Sequence, residues 1–213
     1  MFATVPPPPQ RLLVFARLPE PGKVKTRLAA DVGDERALAI YRSMIADILR
    51  SVGESTEQTE IEVVWAPTPT AGAAQLAIFD GYALSMQTGE SLGDRLAMAF
   101  SERFFFHRTK KIIAIGVDDP LLPRELIDHA FALLDSCDWV LGPATDGGYY
   151  LIGCRAASYD TEVFMDVEWG SAAVLETTLA KIATTKSTVA LLPPRLDIDT
   201  LEDLQRYGYA AER

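Results

Sequence analysis

Two hydrophobic periodicities alternate along the chain. Short, mostly apolar runs are typical of strands buried on both faces of a parallel sheet. Such runs occupy residues 12–16, 61–65, 83–86, 112–115, 139–141, 149–152 and 189–192. Between them lie amphipathic stripes, with apolar residues three or four positions apart, which are typical of helices. These stripes fall within residues 37–52, 71–79, 92–100, 126–134, 174–182 and 204–207. The pattern therefore predicts strands that alternate with helices along the chain.

This alternation favours a three-layer α/β/α fold with a mostly parallel central sheet. Two sequences have the form of a capping box, Ser91 with Asp94 and Thr200 with Asp203, and predict helix starts. No repeat and no linker rich in Gly, Pro or Ser divides the chain, so residues 11–213 are predicted to form a single domain. Residues 1–10, with four prolines at 6–9, are predicted to be a flexible leader.

The composition of the chain argues against some classes of binding partner. The formal net charge is −10, which argues against general nucleic-acid binding because a basic stripe is the usual footprint of that function. The two cysteines, Cys137 and Cys154, form no metal motif, which favours a reducing compartment. No apolar run approaches the length of about 20 residues that spans a bilayer. We therefore expect a cytoplasmic protein without membrane insertion.

A basic loop follows the first predicted strand. Residues 16–28 carry Arg17, Lys23, Lys25 and Arg27, although the protein as a whole is acidic. Gly22 allows the backbone to approach a ligand, and Arg binds phosphate oxygens in a bidentate manner. The loop therefore predicts phosphate binding, although its spacing matches neither a Walker A motif nor G-x-G-x-x-G. The alternative is a solvated basic surface.

Carboxylates follow two later strands. Asp118 and Asp119 come directly after residues 112–115, where a hard cation such as Mg²⁺ or Mn²⁺ would find oxygen ligands. Asp197 and Asp199 are two positions apart, so in extended backbone they would point the same way. The alternatives are an acid that complements a helix dipole and, at the second site, helix capping by Thr200.

The segment 142–150 carries a third acid, Asp146, followed by two glycines. Asp-Gly-Gly is a common hairpin turn signal, so a turn is the simplest interpretation. A turn is compatible with a functional role because ligands of open α/β sheets bind at strand ends. Asp146 is therefore the candidate proton donor or acceptor.

Together these segments resemble one family. FARLPEPGKVKTRL at 15–28, GVDDP at 116–120, GPATDGGYYLIG at 142–153 and DIDTLEDL at 197–204 resemble the bacterial DUF2064 proteins. That family is described as glycosyltransferase-like, within the nucleotide-diphospho-sugar transferase superfamily, which has the GT-A fold. The resemblance spans residues 12–204, nearly the whole chain. The superfamily also contains nucleotidyltransferases, including phospholactate and molybdopterin guanylyltransferases.

The resemblance implies roles for individual residues. The nucleotide contacts would be Ala16, Arg17, Gly22, Lys23, Lys25, Thr26, Arg27, Gln87 and Gly93, with Gln87 and Gly93 nearest the base. The metal ligand after the fourth main strand would be Asp118, and the C-terminal ligand Asp199 or, as a less favoured candidate, Asp197. Many GT-A transferases have Asp-x-Asp where this chain has Asp118-Asp119-Pro120, which leaves the second ligand open.

The acceptor side of the site would come from the segment that carries Asp146. Its pocket would contain Gly147, Gly148, Tyr149 and Trp169, although Trp169 is equally plausible as a core residue. The candidate catalytic residues are Asp146, as proton acceptor, together with Lys25 and Arg27, which would stabilise the leaving diphosphate.

The leading functional hypothesis is a glycosyltransferase that uses a nucleotide-diphospho-sugar, a small-molecule acceptor and Mg²⁺ or Mn²⁺. The alternative is a nucleotidyltransferase that joins a nucleoside triphosphate to a small phosphorylated acceptor and releases pyrophosphate. A third hypothesis, a non-catalytic nucleotide-binding module, is least favoured because acids are present at two strand ends.

Overall fold

A computed structural model describes residues 8–68 and 72–210. The central sheet has seven strands, β1 Gln10–Ala16, β2 Thr59–Trp65, β3 Ala83–Met86, β4 Lys111–Ile115, β5 Trp139–Pro143, β6 Tyr149–Arg155 and β7 Val189–Leu191. The α-helices are α1 Thr26–Val32, α2 Asp34–Val52, α3 Ala73–Leu76, α4 Leu92–Phe105, α5 Arg124–Leu133, α6 Val174–Thr184 and α7 Leu201–Tyr207.

The strand order is β3-β2-β1-β4-β6-β5-β7. All neighbouring strands are parallel except β6, which is antiparallel to β4 and to β5. The predicted mostly parallel sheet is confirmed. The predicted turn after residue 142 is a β5–β6 hairpin, so β6 begins at the sheet edge where the parallel strands end.

Apolar side chains cover both faces of the sheet. Strand side chains alternate between faces, so that Leu12 and Val14 of β1 pack with α2 and α5, whereas Leu13 packs with α4. All three are buried. Helices therefore lie on both sides, which is the predicted α/β/α arrangement.

A smaller apolar cluster joins the two ends of the chain. Leu28 of α1 and Met44 of α2 pack with Ile198, which lies just before α7. This packing holds the basic loop close to the C-terminal acids, which are distant from it in sequence. The cluster thus positions two of the predicted site segments.

Local signals at two helix starts are confirmed. Ser91 accepts a hydrogen bond from the backbone N–H of Asp94, and Thr200 accepts one from that of Asp203, each within a complete capping box. At the N-terminus, β1 begins at Gln10, and residues 1–7 of the predicted leader lie outside the described residues. Among the described helices, none combines the length and apolar character needed to cross a bilayer.

Candidate active site

A cavity of about 670 Å³ opens at one edge of the sheet. It is bounded by residues that follow β1, β2, β3 and β4, and by the first residues of the antiparallel β6. This is the carboxyl edge of the parallel strands, where ligands of open α/β sheets bind. We refer to it as the central cavity.

Lys25 links two acids that are distant from each other in sequence, Asp118 and Asp199, in this cavity. Its Nζ lies 2.5 Å from Asp118 Oδ1, 2.9 Å from Asp199 Oδ1 and 2.5 Å from the carbonyl oxygen of Ile198. The Lys25 side chain is 3% exposed. We call Lys25, Asp118 and Asp199 the Lys25 cluster.

The two carboxylates of the cluster stabilise the charged form of Lys25. Burial alone would lower the pKa of Lys25, but the carboxylates of Asp118 and Asp199 outweigh it and raise the pKa above its ordinary value. The backbone also ties the acids together, because the N–H of Ile198 donates to the carbonyl oxygen of Asp118 at 2.9 Å. Lys25 is therefore an ammonium ion held between fixed carboxylates.

Asp197 lines a second, small cavity of about 50 Å³, which Asp118, Tyr149 and Tyr150 also line. Burial, followed by the charges of Asp118 and Asp146, raises the pKa of Asp197 to about 8. Its Oδ1 is buried and has no hydrogen-bond partner in the described part of the chain. At neutral pH Asp197 therefore keeps its proton, beside the two carboxylates that contact the buried Lys25 ammonium.

Asp119 has a different environment from its neighbour Asp118. It is 3% exposed and accepts hydrogen bonds from Arg195 and from the hydroxyl of Tyr207. These contacts join the segment after β4 to α7 and the residues before it. Asp119 therefore belongs to the scaffold, and Asp118 faces the cavity.

The remaining cations of the basic loop divide into two groups. Arg17 and Arg27 line the central cavity, and the Arg27 side chain is 75% exposed. Arg27 Nη1 lies 3.9 Å from Asp199 Oδ2, so the guanidinium is close to the cluster but still open to a ligand. Lys23 and Gly22 are exposed in the turn and are not among the residues that line the cavity.

Four of the other predicted nucleotide contacts occupy distinct positions. Ala16 and Thr26 line the cavity at the end of β1 and the start of α1. Gln87 also lines the cavity, and its Nε2 donates to the carbonyl oxygens of β1 and β2 residues. Gly93 is buried in α4, where an added Cβ would lie 2.2 Å from the carbonyl oxygen of Phe164. Gly93 is therefore a close-packing position.

The β5–β6 hairpin places the predicted acceptor residues on one side of the site. Asp146 is exposed at the turn and accepts a hydrogen bond from the N–H of Gly148 at 2.9 Å. Tyr149 lines the central cavity. Trp169 packs edge-on against Tyr149, with ring centroids 6.2 Å apart, in the core on the α4 side. Asp146, Gly147 and Trp169 are not among the residues that line the cavity.

Several residues that line the cavity were not among the predicted site residues. Arg95 lies in the first turn of α4, and Tyr41 of α2 and Tyr150 of β6 contribute aromatic rings. The hydroxyl of Tyr41 donates to the carbonyl oxygen of Arg17 at 3.1 Å and accepts from its N–H at 2.9 Å. The sequence does carry a signal for Arg95. It is a cation in the first turn of a predicted helix, where acidic residues are favoured.

The Lys25 cluster also bears on the predicted metal. The described residues contain no group of three or more His, Cys, Asp or Glu side chains arranged around a metal position. Mg²⁺, however, is commonly held by one or two carboxylates together with water and substrate phosphates. Asp118 and Asp199 each use Oδ1 for Lys25, and their side chains remain 47% and 45% exposed. This donor set fits a divalent ion that is shared with a phosphate ligand.

Comparison with known proteins identifies the family of this chain. Residues 49–171 match the family described as "Uncharacterized protein conserved in bacteria (DUF2064)". The chain belongs to the DUF2064 family. No curated protein sequence matches the chain.

A solved structure covers almost all of this DUF2064 protein. It is described as a "putative nucleotide-diphospho-sugar transferase" from Desulfovibrio desulfuricans G20. The two chains are 33% identical, the match covers 94% of this chain and 86% of the other, and the TM-score is 0.88. The predicted family and fold are both confirmed.

More distant structures share the fold alone. A CMP:2-keto-3-deoxy-manno-octonic acid synthetase complexed with CTP has a TM-score of 0.57 at 10% identity, covering 93% of this chain and 96% of the other. The manganese complex of Rv0371C from Mycobacterium tuberculosis H37Rv has a TM-score of 0.54 at 15% identity, covering 92% and 96%.

Proposed function

We propose that this DUF2064 protein is a metal-dependent transferase that moves a sugar from a nucleotide-diphospho-sugar to a small acceptor. The observation that carries the proposal is the Lys25 cluster at the carboxyl edge of the sheet, beside exposed arginines in the central cavity. The transferase class agrees with the description of the Desulfovibrio relative.

The diphosphate would bind on the cationic side of the cavity. Arg17, Arg27 and Arg95 line it, and their guanidinium groups suit phosphate oxygens. The protein carries a net charge of −10, which would repel a diphosphate at long range. These arginines provide local positive charge that attracts it in the cavity. They would stabilise the negative charge that develops on the leaving nucleoside diphosphate.

Asp118 and Asp199 would hold the divalent ion. When bound, this ion would neutralise the diphosphate leaving group. The two acids come from segments fixed by Asp119 and by the α7 cap, so their carboxylates are held in place before the ligand arrives.

The acceptor would approach from the hairpin side. Asp146 is held at the turn by the N–H of Gly148, and its charge contributes to the raised pKa of Asp197. It is therefore close to the acidic side of the site, and we propose that it takes the proton from the attacking hydroxyl. Tyr149 would contact the acceptor from the cavity wall.

A second candidate is nucleotidyl transfer from a nucleoside triphosphate. The observation that favours it is the number of exposed cations, because Lys23 lies in the same loop as Arg17 and Arg27 and adds to the charge available for a triphosphate. In this reaction pyrophosphate would leave, and the acceptor would be a small phosphate compound.

Product analysis separates the candidates. The protein is incubated with Mn²⁺ and panels of nucleotide sugars and nucleoside triphosphates, in each case with pooled small-molecule acceptors. Sugar transfer releases nucleoside diphosphate, nucleotidyl transfer releases pyrophosphate, and a binding module releases neither. We expect nucleoside diphosphate that forms only when an acceptor is present.

Two variants test whether any turnover depends on the proposed site. Arg27→Ala removes an exposed cavity cation and should lower kcat/KM by roughly tenfold to a hundredfold, because a charge-assisted hydrogen bond contributes about 1.5–3 kcal/mol. Arg42→Ala removes an exposed arginine of α2 that does not line the cavity and should have no effect. Equal activity of both variants would contradict the proposed phosphate contact.

A further inference from the structure

Lys25 uses its whole hydrogen-bonding capacity within the protein. An ammonium group has three donors, and its three acceptors here are Asp118 Oδ1, Asp199 Oδ1 and the carbonyl oxygen of Ile198. The side chain is almost fully buried, whereas Lys23 of the same loop is exposed. In this structure Lys25 therefore offers no donor to a phosphate, although the sequence predicted that role for it.

The ammonium also occupies the position that suits a divalent ion. A divalent ion held by Asp118 and Asp199 would draw on the two carboxylates that Lys25 now contacts. Two cations a few ångströms apart repel each other strongly in a partly buried site. The Lys25 ammonium and a divalent ion therefore compete for these carboxylates.

The backbone at Lys25 has an uncommon conformation. Its φ is +47°, a left-handed conformation that side-chain-bearing residues other than Asn and Asp rarely adopt. It precedes the first residue of α1, where the basic loop turns into the helix. Lys25 lines the central cavity together with the exposed Arg27, so its side chain already borders the space in which a phosphate would bind.

We propose that Lys25 is the resident cation of the nucleotide-free site, and that a divalent metal enters only together with a nucleotide whose phosphate takes over the Lys25 ammonium. Metal and nucleotide then bind with positive coupling. The nucleotide phosphate draws the Lys25 ammonium away from the acids, and the metal takes its place there. The part of this proposal that concerns the nucleotide rests on the proposed function, whereas the exclusion of metal by Lys25 does not.

Calorimetry with Mn²⁺ alone tests the exclusion. The parent should bind Mn²⁺ weakly, and Lys25→Met should bind it at least about tenfold more tightly because the competing charge is gone. Lys110→Met removes an exposed lysine that does not line the cavity and should behave like the parent. Equal Mn²⁺ affinity of the parent and Lys25→Met would overturn the proposal. Micromolar Mn²⁺ binding by the parent alone would also overturn it, and that measurement does not depend on the folding of a variant.

A second titration tests the coupling. With a saturating nucleoside diphosphate, chosen as the tightest binder in a panel of four bases, the Mn²⁺ affinity of the parent should rise at least about tenfold, and that of Lys25→Met should rise much less. An unchanged parent affinity in the presence of a bound nucleotide would overturn the coupling. Failure of every nucleotide to bind would count against the proposed function and leave the Mn²⁺-only comparison to decide the role of Lys25.

Discussion

Asp118 and Asp119 are adjacent acids with opposite surroundings. Asp118 is half-exposed and contacts Lys25, whereas Asp119 is buried against Arg195 and Tyr207. A buried acid that pairs with a cation cannot be removed without leaving that cation uncompensated. We therefore expect substitutions at these two residues to separate effects on ligand binding from effects on stability.

We predict that Asp119→Ala lowers the free energy of unfolding by about 2 kcal/mol or more, because Arg195 loses its carboxylate. Asp118→Ala should change it by less than about 1 kcal/mol, since Lys25 keeps Asp199 and Ile198 as partners. Only Asp118→Ala should abolish metal-dependent nucleotide binding in a folded protein. Urea unfolding and calorimetry measure both effects, and a stability loss at Asp118 as large as at Asp119 would contradict the assignment.

The sequence could indicate the candidate residues but not their partners. Asp118, Asp199 and Lys25 were identified because charged residues follow predicted strands, and parallel strands end at one edge. The ion pair between Lys25 and these acids could not be predicted, because its members are separated by 93 and 174 positions. The same limit applies to Asp119, whose burial depends on Arg195.

At the scale of elements, the β5–β6 hairpin depends on a glycine. Gly147 has a φ of +94°, and an added Cβ would lie 2.1 Å from the backbone carbonyl oxygen of Ala172. Its own carbonyl oxygen accepts a hydrogen bond from the N–H of Leu175, so the turn is joined to α6. The turn that carries Asp146 is therefore fixed by contacts outside the hairpin.

Gly147→Ala should destabilise the protein by about 1–3 kcal/mol or more, because both the backbone conformation and the space oppose a side chain. Gly148→Ala is the matched control, since the nearest contact of an added Cβ is a side-chain oxygen of the exposed Asp146 at 3.2 Å and no backbone atom. At about 2–4 °C per kcal/mol for a chain of this size, thermal unfolding resolves the difference. Similar melting temperatures for the two variants would show that the turn adapts.

Element types were predictable because their periodicities differ, and the two capping boxes predicted helix starts at Leu92 and Leu201. The direction of β6 was not predictable from its apolar run alone, because a strand buried on both faces has the same pattern in either direction. The Asp-Gly-Gly turn was the signal for the antiparallel pairing, and the structure contains that hairpin.

At the scale of the whole molecule, a buried ionic cluster ties the sheet to α4. Glu62 of β2 accepts hydrogen bonds from Arg11 of β1 and Arg103 of α4, and all three are almost fully buried. Burial alone would raise the pKa of Glu62, but Arg103, Ser85 and Arg11 outweigh it and lower the pKa to about 2. The ionised carboxylate is therefore stabilised by folding.

This lowered pKa predicts the sign of an acid effect. Because the folded pKa lies below the ordinary value of 4.5, the stabilisation is complete above pH 4.5 and is lost as the pH falls towards 2. The contribution is about 3 kcal/mol. Urea unfolding between pH 7 and 2 should therefore show a steeper loss in the parent than in Glu62→Gln. Glu57→Gln, at an exposed position, should follow the parent, and parallel curves for all three proteins would contradict the role of Glu62.

The distribution of charge distinguishes the site from the rest of the molecule. The net charge is −10, yet three arginines and Lys25 converge on the central cavity beside Asp118 and Asp199. Such a juxtaposition of cations and carboxylates suits a ligand that brings both phosphate and a divalent ion. We therefore propose that a nucleotide binds at this edge of the sheet, with a metal ion between the two acids.

A crystal structure grown with a nucleoside diphosphate and Mn²⁺ tests this claim most directly, because the anomalous signal of manganese locates the ion independently of the nucleotide. We predict one manganese peak about 2.0–2.5 Å from carboxylate oxygens of Asp118 and Asp199, with the diphosphate within hydrogen-bond distance of Arg27. A nucleotide bound outside the central cavity, or manganese bound away from both acids, would show that this edge of the sheet is not the binding site.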